Sequence, residues 1–200
     1  MNEHVRTLPP RREPTQFAEG HPRWRWTLAE FEQLIEHGIL DDDDKVELLG
    51  GEMVPMSPKG NEHEAMRQRL HRWLRRNLDP GIEYMVEPGW RLSADTYVEP
   101  DFLFHAADGG LGSVTAGSDA LLVIEVSSSS LAKDLNIKAP LYAAAGVEDY
   151  WVIDARSGTT HVHRDPGPEG YASVIEVQDT EQVTALRIPD LSVALANLTL

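Results

Sequence analysis

The chain has 200 residues, 41% of them hydrophobic and 26% charged, and it contains no cysteine. This composition predicts one globular domain, and the lack of cysteine excludes disulfides and thiolate metal sites. The sequence has no apolar run of membrane-spanning length and no secretory signal pattern. We therefore expect a cytoplasmic protein without a membrane partner. The formal net charge of −15 argues against a surface that is basic throughout, which is the usual electrostatic signature of nucleic-acid binding.

The N-terminal residues 1–26 are polar and rich in proline and arginine, without hydrophobic periodicity. They are predicted to form a flexible tail, followed by a single domain over residues 27–200. The domain is expected to begin with a helix, because Thr27 and Glu30 have the spacing of a capping box and apolar residues follow at helical intervals. Gly38 is the predicted C-cap.

The segment after this helix predicts a hairpin and a long helix. Residues 46–49 and 53–56 flank Gly50-Gly51, a dipeptide that favours a two-residue turn. Residues 61–77 carry apolar side chains at helical spacing with arginines between them, which predicts an amphipathic helix with a basic outer face. Three extended segments are predicted next, at residues 82–91, 97–104 and 120–127.

The second half of the chain predicts a crossover unit. Residues 131–145 look helical, although Pro140 predicts a kink or a late helix start. A strand over residues 149–154 follows, and strand, helix and strand at this spacing favour parallel pairing of 120–127 with 149–154. Further strands are expected near residues 171–177 and 182–188. The sequence therefore predicts a single α/β domain with a mixed sheet.

Glu125 is the most informative polar residue, because it lies in the middle of an apolar strand. Burying an unpaired carboxylate costs several kcal/mol. The side chain therefore pairs with a buried cation, points outward at a sheet edge, or binds a divalent metal ion, for which carboxylate oxygen is a preferred ligand.

Two other carboxylates have a similar context. Asp101 follows Pro100 at the start of a strand, and taken alone it is typical of a turn. A neighbouring strand carrying Glu125 would bring the two side chains to about 5 Å, which suits a shared metal ion. Glu47 lies between two apolar residues of the predicted hairpin, and strand alternation leaves open whether it points outward or toward the same site.

Cations that could serve such a site follow in two places. Lys138, or alternatively Lys133, lies on the helix after the Glu125 strand and could orient a water nucleophile or stabilise charge on a phosphate. The sequence does not separate these two lysines. Arg69, Arg72 and Arg76 share one face of the amphipathic helix and are the predicted contacts to a phosphate backbone.

These residues, taken together, resemble the Uma2 family, also called DUF820. The matching blocks run in order from Thr27 to Asp154: Thr-Leu-Ala-Glu-Phe-Glu-Gln-Leu, Val-Glu-Leu-Leu-Gly-Gly-Glu-Met, Met-Ser-Pro with His63, Glu-Pro-Asp101, Val-Ile-Glu125-Val-Ser-Ser, Asp134-x-x-x-Lys138-x-x-x-Tyr142 and Gly146-Val-Glu-Asp-Tyr-Trp-Val-Ile-Asp154. Singly these blocks are unspecific, but their order across most of the chain is specific.

The resemblance implies a PD-(D/E)XK restriction-endonuclease-like fold, in which helices flank a mixed central β-sheet. It also implies DNA cleavage that depends on Mg²⁺ (or Mn²⁺), and often a homodimer. Asp101 and Glu125 would be the acidic motif residues, and Glu47 the early glutamate. Ser127 stands where the motif lysine is usual, and similar proteins supply a lysine from the following helix, which would be Lys138 here.

Three functions fit this sequence. The leading hypothesis is a Mg²⁺-dependent endonuclease acting on DNA, with Glu47, Asp101, Glu125 and Lys138 as catalytic residues and the three carboxylates as metal ligands. The second is a weakly active or inactive module that keeps the nuclease fold for binding. The third is a metal-dependent hydrolase of another phosphate ester.

Overall fold

The computed structural model describes residues 15–16, 22–41, 43–107, 109, 112 and 114–198. Its strands are β1 (Thr15–Gln16), β2 (Pro22–Arg23), β3 (Val46–Leu49), β4 (Glu52–Pro55), β5 (Ile82–Val86), β6 (Trp90–Ser93), β7 (Thr96–Val98), β8 (Phe102–Ala106), β9 (Leu122–Ser127), β10 (Asp149–Asp154), β11 (Thr160–Gly167), β12 (Gly170–Val177), β13 (Val183–Thr184) and β14 (Ser192–Val193). Its helices are α1 (Leu28–Glu36), α2 (Asn61–Asn77), α3 (Leu131–Lys133), a π-helix (Asp134–Lys138) and α4 (Ala139–Ala144), with 3₁₀ turns at Gly117–Asp119 and Leu195–Asn197.

The central element is a six-stranded mixed sheet with the order β12-β11-β10-β9-β8-β5. β9 and β10 run parallel, with Glu125 opposite Val152, whereas the other neighbouring strands pair antiparallel. The parallel pair is joined through the helical segment that begins at α3, so the predicted crossover is confirmed. A mixed sheet flanked by helices is the fold class that the sequence predicts.

A second sheet of four strands has the order β4-β3-β7-β6. The hairpin between β3 and β4 turns at Gly50 and Gly51, whose φ angles are 56° and 83°. Two consecutive positive φ angles define a type I′ turn, which glycine enters without steric cost. The predicted hairpin is therefore confirmed, with its second strand beginning one residue earlier than expected.

Two of the predicted extended segments are each divided between the two sheets. Residues 82–91 form β5 of the large sheet and β6 of the small one, because Glu87 takes a positive φ of 52° before Pro88 and turns the chain. Residues 97–104 likewise divide between β7 and β8 at Pro100. Both predicted segments are extended, but each holds parts of two strands, because apolar alternation continues across a corner that only the backbone geometry reveals.

The helices follow their sequence signals closely. Thr27 and Glu30 form the capping box of α1, and α2 covers the predicted 17 residues. The expected helix over residues 131–145 is interrupted: a π-helical turn precedes Pro140, which then lies in the first turn of α4. Proline is tolerated there because its missing N–H has no intrahelical partner to lose.

Two apolar clusters cover the two faces of the six-stranded sheet. One face packs against α2 and the C-terminal segment, and its cluster includes Leu70, Leu74, Phe102, Ile124, Trp151, Ile188 and Leu195. The other face packs against α4 and the four-stranded sheet, and its cluster includes Leu49, Val98, Leu103, Val123, Tyr142 and Tyr150. Residues of β8 and β9 alternate between these clusters, so Asp101 and Glu125 belong to the face covered by α4.

The predicted N-terminal tail and the predicted strand over residues 182–188 both need correction. Residues 22–26 pack on the domain, since Arg23 pairs with Glu52 and the backbone N–H of Trp26 donates to Gly51, so the predicted tail does not reach residue 26. Apart from Thr15–Gln16 in β1, the remainder of residues 1–21 lies outside the described part of the chain. The strand expected over residues 182–188 is only the two-residue β13. Within the described ranges, no helix has the length and apolarity needed to cross a membrane.

Candidate active site

Asp101 and Glu125 lie beside each other on antiparallel neighbours. Phe102 of β8 pairs with Ile124 of β9, so the next residue pair outward in this register is Asp101 with Glu125. Both side chains are buried, and the backbone N–H of Val126 donates to Asp101 Oδ2 over 2.8 Å. The neighbouring positions that the sequence predicts for these two carboxylates are those found in the fold.

Glu125 binds two donors from the helical segment that covers its face. Lys138 Nζ donates to Glu125 Oε1 over 2.8 Å, and the Tyr142 hydroxyl donates to the same oxygen over 3.1 Å. Tyr142 is fully buried, and Lys138 is only 3% exposed. Both donors bond to Oε1, so neither bond uses Oε2.

Glu47 points inward, which resolves the alternative that strand alternation left open. The side chain is fully buried on β3, where Oε1 lies 2.7 Å from Lys138 Nζ and Oε2 lies 3.1 Å from Lys133 Nζ. The backbone N–H of Glu99 also donates to Oε1. Both candidate lysines therefore contact Glu47, while Lys138 also reaches Glu125.

The π-helical turn brings these charges to one side of the helical segment. Lys133 immediately precedes the π-helix and Lys138 ends it, so the two lysines lie at the two ends of this wider turn. Lys138 Nζ is 4.0 Å from Asp134 Oδ1, and Asp134 accepts a 2.6 Å hydrogen bond from Ser127 Oγ. Ser127 thus occupies the usual lysine position of the motif with a buried hydroxyl that orients Asp134.

His63 is a site residue that spacing alone did not single out. It lies in the first turns of α2, and its Nε2 is 3.1 Å from the Asp101 carboxylate. The ring is buried, and Nδ1 lies 3.4 Å from Glu64 Oε1. Burial works to lower the pKa of His63, but the Asp101 carboxylate outweighs it and the pKa lies above its ordinary value.

These side chains surround one small cavity of about 40 Å³. Its charged lining residues are Glu47, Lys59, His63, Glu99, Asp101, Glu125, Lys133, Asp134 and Lys138, and its hydroxyl-bearing residues are Ser57, Ser128, Ser129 and Ser130. All four predicted catalytic residues, together with the alternative Lys133, therefore border the same space.

The pKa values of two carboxylates in this cavity are shifted in opposite directions. Burial raises the pKa of Glu125 to about 8, since the single charge of Lys138 does not offset desolvation and the nearby Asp134 and Asp101. Burial acts on Glu47 in the same direction, but Lys138 and Lys133 together hold its pKa below the ordinary value. The pKa of Lys138 is raised, because its carboxylate neighbours outweigh its own burial.

The residues present fit a divalent metal ion held by two carboxylates rather than three. Among the described residues, no three His, Asp or Glu side chains are grouped so as to hold an ion together, and Lys138 Nζ lies between Glu47 and Glu125. Mg²⁺ is commonly bound through one or two carboxylates plus substrate phosphate and water. Asp101 and Glu125 supply that donor set, and a bound dication would favour the charged form of Glu125, whose pKa is raised chiefly by burial.

The three predicted phosphate-binding arginines do not all lie on one surface. Arg72 and Arg76 are exposed and line a groove along α2, together with Arg67 and Arg75. Arg69 lies outside that groove, and its side chain is half-buried. The predicted set therefore lacked Arg75, which the structure places beside Arg72 and Arg76.

The signals for the missed site residues were weak in the sequence. Asp134 has the helical spacing to Lys138 that could have marked it, but an acidic residue in a helix is ordinarily solvated. For His63 only the family block offered a signal, since a lone histidine has no metal-ligand spacing. Neither residue could be connected to the site without knowing that α2 and the π-turn meet at it.

The chain matches one protein family model and is similar in structure to a solved protein. The family model Uma2, described as "Putative restriction endonuclease", matches residues 28–197. A solved structure, described as a "putative nuclease belonging to DUF820 from Anabaena variabilis ATCC 29413", is similar with a TM-score of 0.65 at 15% sequence identity, covering 86% of this chain and 96% of that chain. No curated protein matches the sequence. The fold is of the restriction-endonuclease-like type, and family and fold together support a nuclease.

Proposed function

The chain belongs to the Uma2 family, and on that premise we propose that it is a metal-dependent endonuclease that hydrolyses phosphodiester bonds in DNA. The observation that carries the proposal is the pair of neighbouring carboxylates, Asp101 and Glu125, on one cavity with the buried ammonium of Lys138. Paired acidic side chains and an adjacent cation are the groups that metal-assisted phosphodiester hydrolysis requires.

Asp101 and Glu125 are the proposed ligands of Mg²⁺ or Mn²⁺. The bound ion would polarise a phosphate oxygen and lower the pKa of a water nucleophile. His63 and the N–H of Val126 hold the Asp101 carboxylate in place, which is the role of outer hydrogen bonds around metal ligands. Glu47 would contact the ion through water and not directly, because its oxygens already bind Lys138 and Lys133.

The two lysines have different parts in this proposal. Lys138 is buried between Glu47 and Glu125, so its first effect is to neutralise and orient those carboxylates. Lys133 has a side chain that is 16% exposed and borders the cavity beside Glu47, so it is the cation better placed to meet a phosphate entering from solvent. Stabilising negative charge as it develops is the largest contribution of such groups to catalysis.

A plasmid-nicking assay tests the proposal. Purified protein with Mg²⁺ or Mn²⁺ should convert supercoiled DNA to the open circle, and Glu125→Ala should lower that rate by about 10²–10³-fold, the scale of losing a key electrostatic group. Arg187→Gln, an exposed arginine away from the cavity, should retain the rate. Equal activity in the native protein and Glu125→Ala would reveal a contaminant and overturn the proposal.

A second candidate is a binding module that keeps this fold without cleaving. The observation in its favour is that Lys138 lies between Glu47 and Glu125, where a third metal ligand would otherwise converge. Calorimetric titration with Mn²⁺ separates the two, because a nuclease requires binding that Asp101→Asn abolishes. Absence of Mn²⁺ binding by the native protein, combined with retained DNA binding, would favour the module.

A further inference from the structure

A second charged surface lies along α2 beyond the cavity. It is a groove of about 710 Å³ between α2 and the edge strand β5, and it is separate from the carboxylate cavity. The groove is lined by Arg67, Gln68, His71, Arg72, Arg75, Arg76 and Val86. Tyr84 of β5 contributes to its continuation, where its hydroxyl lies 3.2 Å from His71 Nδ1.

Three arginines of this groove differ from the described arginines outside α2. Arg72, Arg75 and Arg76 are exposed and form no ion pair with a described residue. Outside α2, each described arginine has a carboxylate partner: Arg23, Arg25, Arg91, Arg156, Arg164 and Arg187. In a chain with 33 acidic residues against 18 basic ones, three neighbouring arginines left without an acidic partner form a surface suited to an anion from outside.

The groove lies next to the cavity along the first turns of α2. His63 borders the cavity, and Arg67, one turn further on, borders the groove. Arg67 is already paired with Glu64 at 2.7 Å and with Glu87 at 3.3 Å. It therefore marks the boundary between the two surfaces, and the unpaired charge begins at Arg72.

We propose that this groove binds the phosphate backbone of DNA next to the scissile phosphate, without reading base sequence. The proposal rests on the proposed nuclease function and names the surface that holds its substrate. Arg72 and Arg76 are separated by about 6 Å along the helix at about 1.5 Å per residue, a length of roughly two base steps at about 3.4 Å each. Arginine contacts to phosphate fix the position of the duplex but carry no sequence information.

Fluorescence anisotropy with a labelled duplex of about 20 base pairs tests the groove. The measurement is made in EDTA, so that binding is observed without cleavage, and at several salt concentrations. The triple variant Arg72→Gln, Arg75→Gln, Arg76→Gln should raise Kd by at least about tenfold. It should also flatten the slope of log K against log salt by about 2 to 3, since each lost phosphate contact contributes about 0.9.

The matched control removes the same number of charges elsewhere. Arg91→Gln, Arg156→Gln, Arg187→Gln eliminates three exposed arginines outside the groove, and Kd should stay within about twofold of the native value. An equal loss of affinity in both triple variants would show a bulk-charge effect and overturn the proposal. A melting temperature within a few degrees of the native protein confirms that each variant is folded.

The outcomes separate this proposal from the proposed nuclease activity. Native protein that binds DNA through the groove but never nicks it would sustain the groove and reject the nuclease. Nicking activity and DNA affinity that are both unaffected by the groove triple would sustain the nuclease and reject the groove. Failure of the native protein to bind duplex in EDTA, or arginine-dependent binding to vesicles of anionic lipid in its place, would also overturn the groove.

Discussion

The cavity and the α2 groove use positive charge in opposite ways. Lys138 in the cavity is 3% exposed, and its ammonium contacts Glu47 and Glu125 within 2.8 Å. Arg72, Arg75 and Arg76 in the groove are exposed and have no acidic partner among the described residues. A buried charge must be paired within the fold, whereas an exposed charge remains free for an external anion.

The buried Lys138 charge stabilises the fold, whereas the exposed arginine charges are available to a ligand. Removing Lys138 leaves carboxylates uncompensated in the interior, so stability itself depends on it. Removing Arg72, Arg75 or Arg76 breaks no ion pair with a described residue. Stability measurements on matched variants therefore separate the two regions independently of any activity.

The largest effect is expected for Lys138→Met. Loss of the ammonium leaves Glu47, Glu125 and Asp134 without their shared cation, and breaking a buried ion pair in this way typically costs about 3–5 kcal/mol. Urea unfolding in EDTA measures the free energy of unfolding. Lys133→Met is the matched control, because among the described residues Lys133 forms an ion pair only with Glu47 and its side chain is partly exposed, so its loss should cost about 1–2 kcal/mol.

An equal cost for both lysine variants would contradict the comparison between a buried and a partly exposed cation. Adding Glu125→Gln to Lys138→Met should recover part of the lost stability, since it removes one of the uncompensated carboxylates. A double variant less stable than Lys138→Met would show that loss of the ammonium does not leave Glu125 as an uncompensated charge.

A smaller effect, dependent on pH, is expected for Glu125→Gln. The pKa of Glu125 is raised to about 8 in the folded protein from 4.5, so between these values the folded state binds the proton more strongly than the unfolded state. Native stability should therefore fall as pH rises from about 4.5 to about 8, and Gln removes that loss. At pH 8 the variant should be more stable by roughly 2–4 kcal/mol in EDTA.

Thermal melting of both proteins across pH 5 to 9 measures this difference. The two curves should converge toward pH 5 and diverge toward pH 8. A constant difference over the whole range would show that Glu125 does not titrate there. Addition of Mn²⁺ should raise the melting temperature of the native protein more than that of Glu125→Gln, because a ligand stabilises the form that binds it.

The smallest effect is expected for the groove. Each of Arg72→Gln, Arg75→Gln and Arg76→Gln should change the free energy of unfolding by no more than about 0.5 kcal/mol, as exposed substitutions without partners usually do. Urea unfolding of the single variants measures this. A loss above about 2 kcal/mol in any one would mean that the arginine supports the fold, and it would no longer qualify as a free phosphate contact.

Much of the fold could be predicted because its signals are local. The capping box of Thr27 and Glu30, the Gly50-Gly51 turn and the amphipathic pattern of α2 each depend on residues within a few positions of one another. The parallel β9–β10 pair followed from the length of its connection. The corner at Glu87 escaped prediction, since a positive φ outside glycine leaves no periodic trace.

Local sequence patterns indicated Glu125, Asp101 and Glu47, though not Asp134, because a carboxylate such as Glu125 within an apolar strand must have a partner wherever the strand is buried. The identity of that partner follows from the tertiary structure. Glu47 and Lys133 are 86 positions apart in the chain, and Lys138 meets both Glu47 and Glu125 because the π-turn places it there. The helical pattern of α2 predicted a basic face. It could not predict that some of its arginines have no carboxylate nearby among the described residues, because electrostatic pairing depends on distances through space.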